Sequence, residues 1–303
     1  MLVSVIVPIY GVEAYIARCA RSLMTQTWQD AEFIFINDGT RDRSMEVLAE
    51  VLAEYSERRV KIINQANAGL PQARKSGIAH AQGEYVLNVD SDDWLEPDAL
   101  EQAMTAALAN DADLVHFSFW KEYGNRRKLD RERPYTEADK PVWLPRLYRD
   151  RAYGYIWNKL ARRSLYDGIF FPRYNMHEDI VFCTQLIWKA RRIVALDKAL
   201  LHYRRDNPQA SSRENNARRR LQSARNMLDL YEFYRDSISG SPVEPVLNDI
   251  LLRGAWAAYR YDKNLFDERP YLREAAAHLP LIPRHRVLLS QQILLKTWLR
   301  ASR

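Results

Sequence analysis

The chain has 303 residues, of which 47% are hydrophobic and 28% are charged, so it can bury the core of one large domain with an appendage. This balance excludes a mainly disordered protein, which would be poorer in hydrophobic side chains. The formal net charge is +6, but the basic residues are mixed with acidic ones, and a basic run is usually only a solvated face.

The first part of the chain alternates between apolar, β-rich runs and segments with helical spacing. We predict strands over 3–9, 32–36, 60–63, 85–89 and 113–117, and helices over 13–26, 44–55, 70–80 and 97–110. Strands that alternate with helices in this way indicate βαβ units and a mostly parallel sheet, with right-handed crossovers that place helices on both faces. Ligands of such sheets bind beyond the carboxyl ends of the strands.

Polar residues follow the first four predicted strands where these strands end, over 9–13, 37–40, 64–69 and 88–94. Each loop alone has a structural interpretation, because Asp38-Gly39 and Ala68-Gly69 are also ordinary turn sequences. Four such loops at one edge of a sheet indicate a binding site. The chain lacks Gly-x-Gly-x-x-Gly after the first strand and lacks Gly-x-x-x-x-Gly-Lys-[Ser/Thr], which argues against a dinucleotide-binding unit and a P-loop NTPase.

Three carboxylates, those of Asp90, Asp92 and Asp93, crowd into four residues after the fourth strand. Carboxylates this close repel one another and resist burial, and a divalent cation would resolve the conflict. Oxygen ligands suit Mg²⁺ or Mn²⁺, and Mg²⁺ normally completes its shell with phosphate oxygens, so a phosphorylated substrate is implied. The alternative is that Asp92 or Asp93 caps a helix that starts near Pro97, where the helix dipole favours an acid.

Four segments in order resemble glycosyltransferase family 2: Val-Ser-Val-Ile-Val-Pro-Ile-Tyr at 3–10, Ile-Asn-Asp-Gly-Thr at 36–40, Asn-Ala-Gly-Leu-Pro-Gln-Ala-Arg at 67–74, and Gly-Glu-Tyr-Val-Leu-Asn-Val-Asp-Ser-Asp-Asp at 83–93. The resemblance covers residues 1–120 closely and 150–210 more loosely. It implies an α/β chain with a GT-A (Rossmann-like) fold, which transfers a sugar from a nucleotide diphosphate with inversion at the anomeric carbon. One departure is Asn37, where the family more often has Asp.

By this resemblance, the nucleotide-sugar pocket is lined by Pro8, Tyr10, Glu13, Asp38, Asn67, Gly69, Arg74, Asp90 and Ser91. Asp38 would accept a hydrogen bond from the imide N–H of uracil, which is the main indication that the donor is a UDP-sugar. Gly69 would let the backbone approach the ligand closely, and Arg74 would project toward the diphosphate from the start of its helix. The alternative for Arg74 is a solvated helix face.

The resemblance also places a divalent cation, Mn²⁺ or Mg²⁺, on Asp92 together with Asp90. Asp93 would either support these ligands or cap a helix. His202, which follows the apolar run 193–196, would complete the metal shell, and its neutral imidazole would favour Mn²⁺ over Mg²⁺. The alternative for His202 is a side chain packed on a strand.

A general base is physically necessary, because the acceptor hydroxyl must lose its proton as it attacks the sugar. The family often carries a Glu-Asp pair at the position of Glu178 and Asp179, and we assign Asp179 as the base with Glu178 as the second choice. The structural alternative is a helix N-cap with an acidic first turn. Trp157 would stack on the acceptor or donor sugar, or else be a core aromatic on a helix. Lys159 and Arg204 would contact the acceptor or belong to a lid over the diphosphate.

The second half of the chain is harder to interpret. We expect an irregular loop or a small excursion over 121–151 that borders the acceptor, and helices over 213–235 and 246–261. The acid-free segment after Glu274 contains an apolar, amphipathic run over 287–299, which would either lie on an anionic membrane or dock on the domain.

The expected organisation is a GT-A catalytic domain followed by a helical C-terminal extension. The bounds are 1–210 for the catalytic domain, with a nucleotide-sugar half over 1–120 and an acceptor half over 121–210, and 211–303 for the extension. Cys19 and Cys183 have apolar helical contexts, and neither a signal peptide nor an apolar run of 18 residues is evident. We therefore expect a cytoplasmic protein, peripheral on the inner face of the plasma membrane if the C-terminal run binds lipid.

The sequence as a whole predicts an inverting glycosyltransferase that moves a sugar from a UDP-sugar to a hydroxyl of a glycan or lipid-linked glycan. Bacterial cell-surface polysaccharide synthesis is the expected setting. A metal-dependent nucleotidyltransferase is one alternative, although it would carry a Gly-rich loop after the first strand. A basic nucleic-acid-binding protein is another, through Arg218–Arg220, but three clustered carboxylates argue against a nucleic-acid partner.

Overall fold

The computed structural model describes residues 1–132, 134–149, 154–208, 216–238, 240, 244–278 and 293–297. The strands in these ranges are β1 (Val3–Ile9), β2 (Ala31–Asn37), β3 (Arg59–Asn64), β4 (Tyr85–Asn88), β5 (Trp94–Leu95), β6 (Leu114–Tyr123), β7 (Arg126–Asp130), β8 (Lys159–Arg162) and β9 (Ile193–Arg204). The α-helices are α1 (Ile16–Met24), α2 (Ser44–Leu52), α3 (Leu70–His80), α4 (Ala99–Ala109), α5 (Lys140–Arg149), α6 (Glu178–Lys189), α7 (Ala217–Ile238), α8 (Pro245–Tyr261), α9 (Leu265–Glu268) and α10 (Tyr271–His278).

All of these strands belong to one sheet. Its order is β3-β2-β1-β4-β8-β6-β9-β5, and β7 pairs with β6 outside this path. The pairings among β1, β2, β3 and β4 are parallel, whereas β8 runs antiparallel to both β4 and β6, and β5 runs antiparallel to β9. The predicted parallel arrangement therefore holds for the first four strands, and the strands of the second half make the sheet mixed.

Side chains that alternate along β1 and β2 divide the core between the two faces of the sheet. Val5 and Phe33 pack in a cluster with residues of α1, α2 and α4. Ile6 and Ile34 pack in a second cluster with residues of α3, α5 and α6. Because successive strand residues point to opposite faces, these strands are apolar on both sides, and helices cover both faces.

The elements predicted for the first half of the chain are all present. The bounds of α3 are those predicted, and the other helices begin and end within a few residues of their predicted limits. The irregular loop expected over 121–151 is wrong for the residues described there. Strand β6 continues to Tyr123, the chain turns at Gly124 with φ of +60°, and β7 returns as a hairpin before α5. Most residues of β7 are charged and exposed, so no apolar alternation marks it in the sequence.

Helices α7 and α8 match the two helices predicted for the C-terminal region. They pack with α9 and α10 around a third apolar cluster, which includes Leu228, Leu252 and Phe266. Across the described residues, no helix has both the length and the apolar character needed to cross a lipid bilayer.

Only part of the apolar run at 287–299 falls within the described residues. Residues 293–297 are helical, and Leu295 is buried in the third cluster, whereas Ile293 and Leu294 are about half exposed. The remainder of the run, with Trp298, lies outside the described residues. The docked alternative for this run therefore holds at Leu295.

Candidate active site

The polar loops after β1, β2, β3 and β4 meet the start of α6 and the end of β9 in one cleft with two adjoining pockets. The first, called here the loop pocket, has a volume of about 470 Å³ and includes in its lining Pro8, Tyr10, Asp38, Asn67, Gly69, Ser91 and Asn207. The second, called the helix pocket, has a volume of about 370 Å³ and includes Tyr155, Trp157, His177, Glu178, Asp179, Tyr203 and Arg204. Leu70, Asp90, Asp92 and Asn175 line both, so the acidic cluster lies where the two pockets meet.

Asp38 organises the loop pocket as well as lining it. Its Oδ1 accepts hydrogen bonds from Gln65 Nε2 at 2.8 Å and from the Ala68 N–H at 2.9 Å, and its Oδ2 accepts one from the Gly69 N–H at 2.9 Å. An ionised carboxylate has about four acceptor positions. Asp38 therefore fixes the loop that leads into α3 and retains about one position, on Oδ2, for a ligand.

Gly69 is required by both backbone conformation and space. Its φ is +89°, a region that residues with a side chain rarely adopt, and a Cβ there would lie 2.5 Å from Asn175 Oδ1. The same oxygen accepts the Leu70 N–H at 3.0 Å, in the first turn of α3. Asn175 thus joins the segment before α6 to the N-terminus of α3, a contact that the sequence analysis missed.

The acidic cluster is crowded and poorly solvated. Burial raises the pKa of Asp90 to about 6, and burial also raises the pKa of Asp92. Asn207 Nδ2 donates to Asp92 Oδ2 at 2.8 Å. Asp93 is fully buried, and burial together with the neighbouring Asp92 and Asp90 raises its pKa well above the usual range.

Neither Asp92 nor Asp93 caps a helix. The helix that follows, α4, begins at Ala99 with Asp98 at its N-cap, and β5 separates it from the acidic cluster. Asp93 Oδ1 instead accepts the Arg204 N–H at 2.8 Å, which ties the cluster to β9. The cap interpretation of these acids is therefore wrong, and the Asp93 carboxylate joins the acidic cluster to β9.

Arg74 does not project toward a ligand, and neither of its predicted environments is correct. The side chain is 1% exposed, its Nη1 donates to Glu178 Oε1, and its Nη2 donates to Asp90 Oδ1 at 2.6 Å. Burying two acids requires a buried positive charge between them, and the guanidinium supplies two donors in a fixed fork. Arg74 therefore links the acidic cluster to the Glu-Asp pair.

The Glu-Asp pair opens α6, and its two members differ in accessibility. Glu178 is 1% exposed, and burial raises its pKa well above the usual range although Arg74 lowers it. Asp179 is partly exposed and faces the helix pocket. The N-cap of α6 is His177, so both acids occupy the first turn rather than the cap.

Two other predicted site residues, Glu13 and His202, line neither pocket. The Glu13 carboxylate accepts the Arg43 N–H at 2.9 Å, at the start of α2, and Glu13 is not among the lining residues of either pocket. His202 has Glu122 Oε1 2.7 Å from Nδ1 and Glu96 Oε1 2.9 Å from Nε2. Carboxylates lie within hydrogen-bond distance of both ring nitrogens, and His202 lines neither pocket, so the packed-strand alternative is correct for His202.

His202 also stacks on Trp94, with ring centroids 4.8 Å apart.

Lys159, predicted to contact the acceptor or belong to the lid, is fully buried, and its Nζ donates to Tyr155 O and Asn158 Oδ1, both at 2.8 Å. A buried ammonium must satisfy its donors internally, and Lys159 does so within its own segment. That prediction is therefore wrong.

Aromatic side chains form one side of the helix pocket. Trp157 is 1% exposed and stacks on Tyr155 with ring centroids 4.7 Å apart, and Tyr203 lies 4.9 Å from it. Trp157 is thus a core aromatic with an edge at the pocket. The sequence analysis named neither Tyr155 nor Tyr203, since contacts across strands are not legible in a single sequence.

Arg204 lies at the acidic cluster as well as in the helix pocket. Its Nε donates to the Asp92 carbonyl oxygen at 3.3 Å, and its guanidinium lies 4.9 Å from the Tyr15 ring and 5.2 Å from the Trp94 ring. A cation in this position partly offsets the three carboxylates.

Comparison with known proteins identifies a single family. The family model described as "Glycosyl transferase family 2" matches residues 4–172, more than half of the chain. The glycosyltransferase EpsJ of Bacillus subtilis is 36% identical over 217 residues, which span 68% of this chain and 62% of EpsJ. The chain thus covers about three fifths of this relative's length.

Two groups of solved structures share the fold. The S. aureus TarS 1–349 structure in complex with UDP-GlcNAc matches with a TM-score of 0.63 and 20% identity, over 100% of this chain and 93% of the other. Mannosyltransferase PcManGT from Pyrobaculum calidifontis, in complex with GDP-Man and Mn²⁺, matches with a TM-score of 0.56 and 15% identity, over 99% and 86%. These likenesses confirm the GT-A architecture expected from the sequence.

Proposed function

Because this chain belongs to glycosyltransferase family 2, we propose that it transfers a sugar from a UDP-sugar to a hydroxyl of a glycan or lipid-linked glycan, with inversion at the anomeric carbon. One observation carries the proposal: Asp38, the pair Asp90 and Asp92, and Asp179 follow one another along a continuous cleft. A base edge, a diphosphate and a reacting hydroxyl need these three environments in the same order.

The choice of UDP rests on Asp38. Three protein N–H groups already occupy its carboxylate, which leaves about one acceptor position on Oδ2. Uracil presents a single N–H on its pairing edge, whereas guanine presents two adjacent donors that would need both carboxylate oxygens. A uracil nucleotide therefore matches the remaining acceptor better, and the UDP-GlcNAc bound by TarS supports this choice.

The acidic pair fits a divalent cation that shares its shell with a ligand. Asp90 and Asp92 offer only oxygen atoms, both face the cleft, and burial without full charge compensation raises the pKa of each. No three His, Cys, Asp or Glu side chains of the described residues group as a metal site, so the phosphates of a donor would complete the shell. When bound, Mn²⁺ or Mg²⁺ would neutralise charge on the departing diphosphate.

Asp179 is the proposed general base. Both acids line the helix pocket, but Asp179 is partly exposed, whereas Glu178 is 1% exposed and engaged by Arg74. The Asp179 carboxylate would take the acceptor O–H proton as that oxygen bonds to C1 of the sugar and the bond from C1 to the phosphate oxygen breaks. A positioned base of this kind contributes roughly 100- to 10,000-fold in rate.

We place the acceptor in the helix pocket. Tyr155, Trp157 and Tyr203 give it an aromatic side, and amphipathic rings suit the apolar face of a sugar. The proposed setting is the cytoplasmic side of a bacterial membrane, with residues 1–210 as the catalytic domain and 211–303 as a helical region.

A thermal-shift panel tests the donor assignment without an acceptor. Ligands that bind the native state raise its melting temperature, so UDP, UDP-sugars, GDP and GDP-mannose can be ranked with and without Mn²⁺. We expect the largest shifts from UDP-sugars with Mn²⁺. A larger shift from GDP-mannose would overturn the uracil assignment, and no shift from any nucleotide would overturn the proposed function.

A further inference from the structure

Helix α7 lies against the segment that leads into α6, and one buried side chain of α7 forms four hydrogen bonds with it. Asn226 is fully buried, and its Oδ1 accepts the N–H groups of Arg173 at 3.2 Å and Tyr174 at 3.1 Å. Its Nδ2 donates to the carbonyl oxygens of Tyr174 at 2.7 Å and Met176 at 3.1 Å. Both donors and both acceptor positions of the amide are thereby used on four main-chain groups.

A second residue of α7 makes a contact with the same segment. Ser223 precedes Asn226 by one helical turn, so the two share a face, and Ser223 Oγ lies 2.6 Å from His177 Nδ1. His177 has a φ of +56°, an uncommon conformation for a residue with a side chain. Conformations of this kind persist where the surroundings hold them, and here α7 is part of those surroundings.

Residues 173–177 lead directly into the Glu-Asp pair. Residue 177 immediately precedes Glu178 and Asp179, and Asn175 in the same segment contacts the N-terminus of α3 beside Gly69. The segment is outside the sheet, so its main-chain groups have no strand partner to fix them. Side chains therefore hold it: Asn175 joins it to α3, and Asn226 and Ser223 join it to α7.

We propose that Asn226, assisted by Ser223, is a positioning residue for the transfer reaction, which holds the 173–177 segment so that Asp179 meets the acceptor hydroxyl. The inference rests on the proposed function of Asp179. It extends the catalytic machinery to a helix that lies beyond the 4–172 match to the family model. A misplacement of a catalytic group by about 1 Å can cost roughly 100-fold in rate, so the effect on turnover should be large.

Asn226→Ala is the test variant and Arg225→Ala is its matched control. Arg225 is the neighbouring residue on α7, and its ion pairs are with Asp262 and Glu268. Toward 173–177 it has an electrostatic interaction with Tyr174, whereas the four hydrogen bonds described above belong to Asn226. Both variants remove polar contacts of α7, so both are expected to lower the melting temperature. Only Asn226→Ala removes the hydrogen bonds to the segment before Asp179.

Two measurements decide the proposal, both made well below the lower melting temperature. In hydrogen exchange followed by mass spectrometry, peptides covering 173–177 should lose protection in Asn226→Ala and keep it in Arg225→Ala. In a UDP-release assay with the UDP-sugar that gives the largest thermal shift, Asn226→Ala should lower kcat by roughly 10- to 100-fold and leave the donor KM within about 2-fold of wild type. Ser223→Ala should give a smaller loss of the same kind.

The possible failures are distinguishable. A wild type that neither binds nor cleaves any UDP-sugar would overturn the proposed function and, with it, the positioning role of Asn226. A wild type that turns over normally, with Asn226→Ala no slower than Arg225→Ala, would overturn the positioning role alone. Unchanged exchange at 173–177 in Asn226→Ala would overturn it as well, because the segment would then be held by other contacts.

Discussion

Replacing Arg74 with methionine tests the buried ion pairs that join the acidic cluster to the start of α6. Methionine keeps the unbranched stem and much of the volume, but it removes the charge between Glu178 and Asp90. The Glu178 side chain is 2% exposed, whereas Asp90 is 26% exposed and can be partly solvated. Removing one partner of a buried pair destabilises by about 3–5 kcal/mol, and we expect Arg74→Met to fall in that range.

Urea unfolding followed by circular dichroism measures this change as a shift of the midpoint. Arg43→Met is the control, because Arg43 also pairs with two acids but is 67% exposed, so its midpoint should hardly move. In the double variant Arg74→Met with Glu178→Gln, the unpaired buried charge is gone. That variant should be more stable than Arg74→Met by about 1–3 kcal/mol, although it carries one more substitution.

Either of two results would show that Arg74 does not stabilise the buried Glu178. A loss below about 1 kcal/mol in Arg74→Met would mean that the guanidinium is not needed to bury Glu178. Losses that simply add in the double variant would mean that Arg74 and Glu178 do not interact, since a cycle of contacting residues should show coupling.

Three further predictions concern the cleft. Gly69→Ala should lower the free energy of unfolding by about 2–3 kcal/mol, because the φ of residue 69 is +89° and the new Cβ would lie 2.5 Å from Asn175 Oδ1. In a double-mutant cycle measured by urea unfolding, Asn175→Ala should recover part of that loss. Asp92→Ala and Asp179→Asn should each lower the rate of sugar transfer by at least ~100-fold at unchanged melting temperature. The donor should still raise the melting temperature of Asp179→Asn but not that of Asp92→Ala. Near-normal turnover in Asp179→Asn would show that Asp179 is not the general base. EDTA should stop UDP release and Mn²⁺ or Mg²⁺ should restore it, so full activity in the chelator would exclude a role for the cation.

The sequence could predict the parallel half of the sheet because that half depends on local patterns. β1 and β2 are continuous apolar runs, each followed by turn residues, and α3 begins directly after Gly69, whose φ of +89° only glycine adopts readily. The same patterns placed Asp38, Asp90 and Asp92 at one edge of the sheet, and the structure brings them into one cleft. Local signals were enough there because parallel strands bring their loops together without further information.

Side chains whose acidic partners are distant in the chain were assigned wrongly. Arg74 meets Glu178 across 104 residues, and His202 meets Glu96 across 106. From a single sequence, a buried cation and an exposed one have the same local context, and only the fold decides which acid will neutralise it. The prediction for Lys159 was also wrong although its partners are local, because nothing in its sequence context marks it as fully buried.

These distant contacts also explain why the cleft should behave as one unit. Arg74 joins Asp90 to Glu178, and Asn175 joins the segment before α6 to the start of α3, so both sides of the cleft are bridged by side chains from the other half. Asn226 then fixes that segment from α7, outside the part of the chain that the family model matches. Arg74 and Asn226 line neither pocket, so a substitution at either should alter turnover without removing a substrate contact. Its effect should couple to Asp179 more strongly than to Asp38, because these contacts converge on the start of α6.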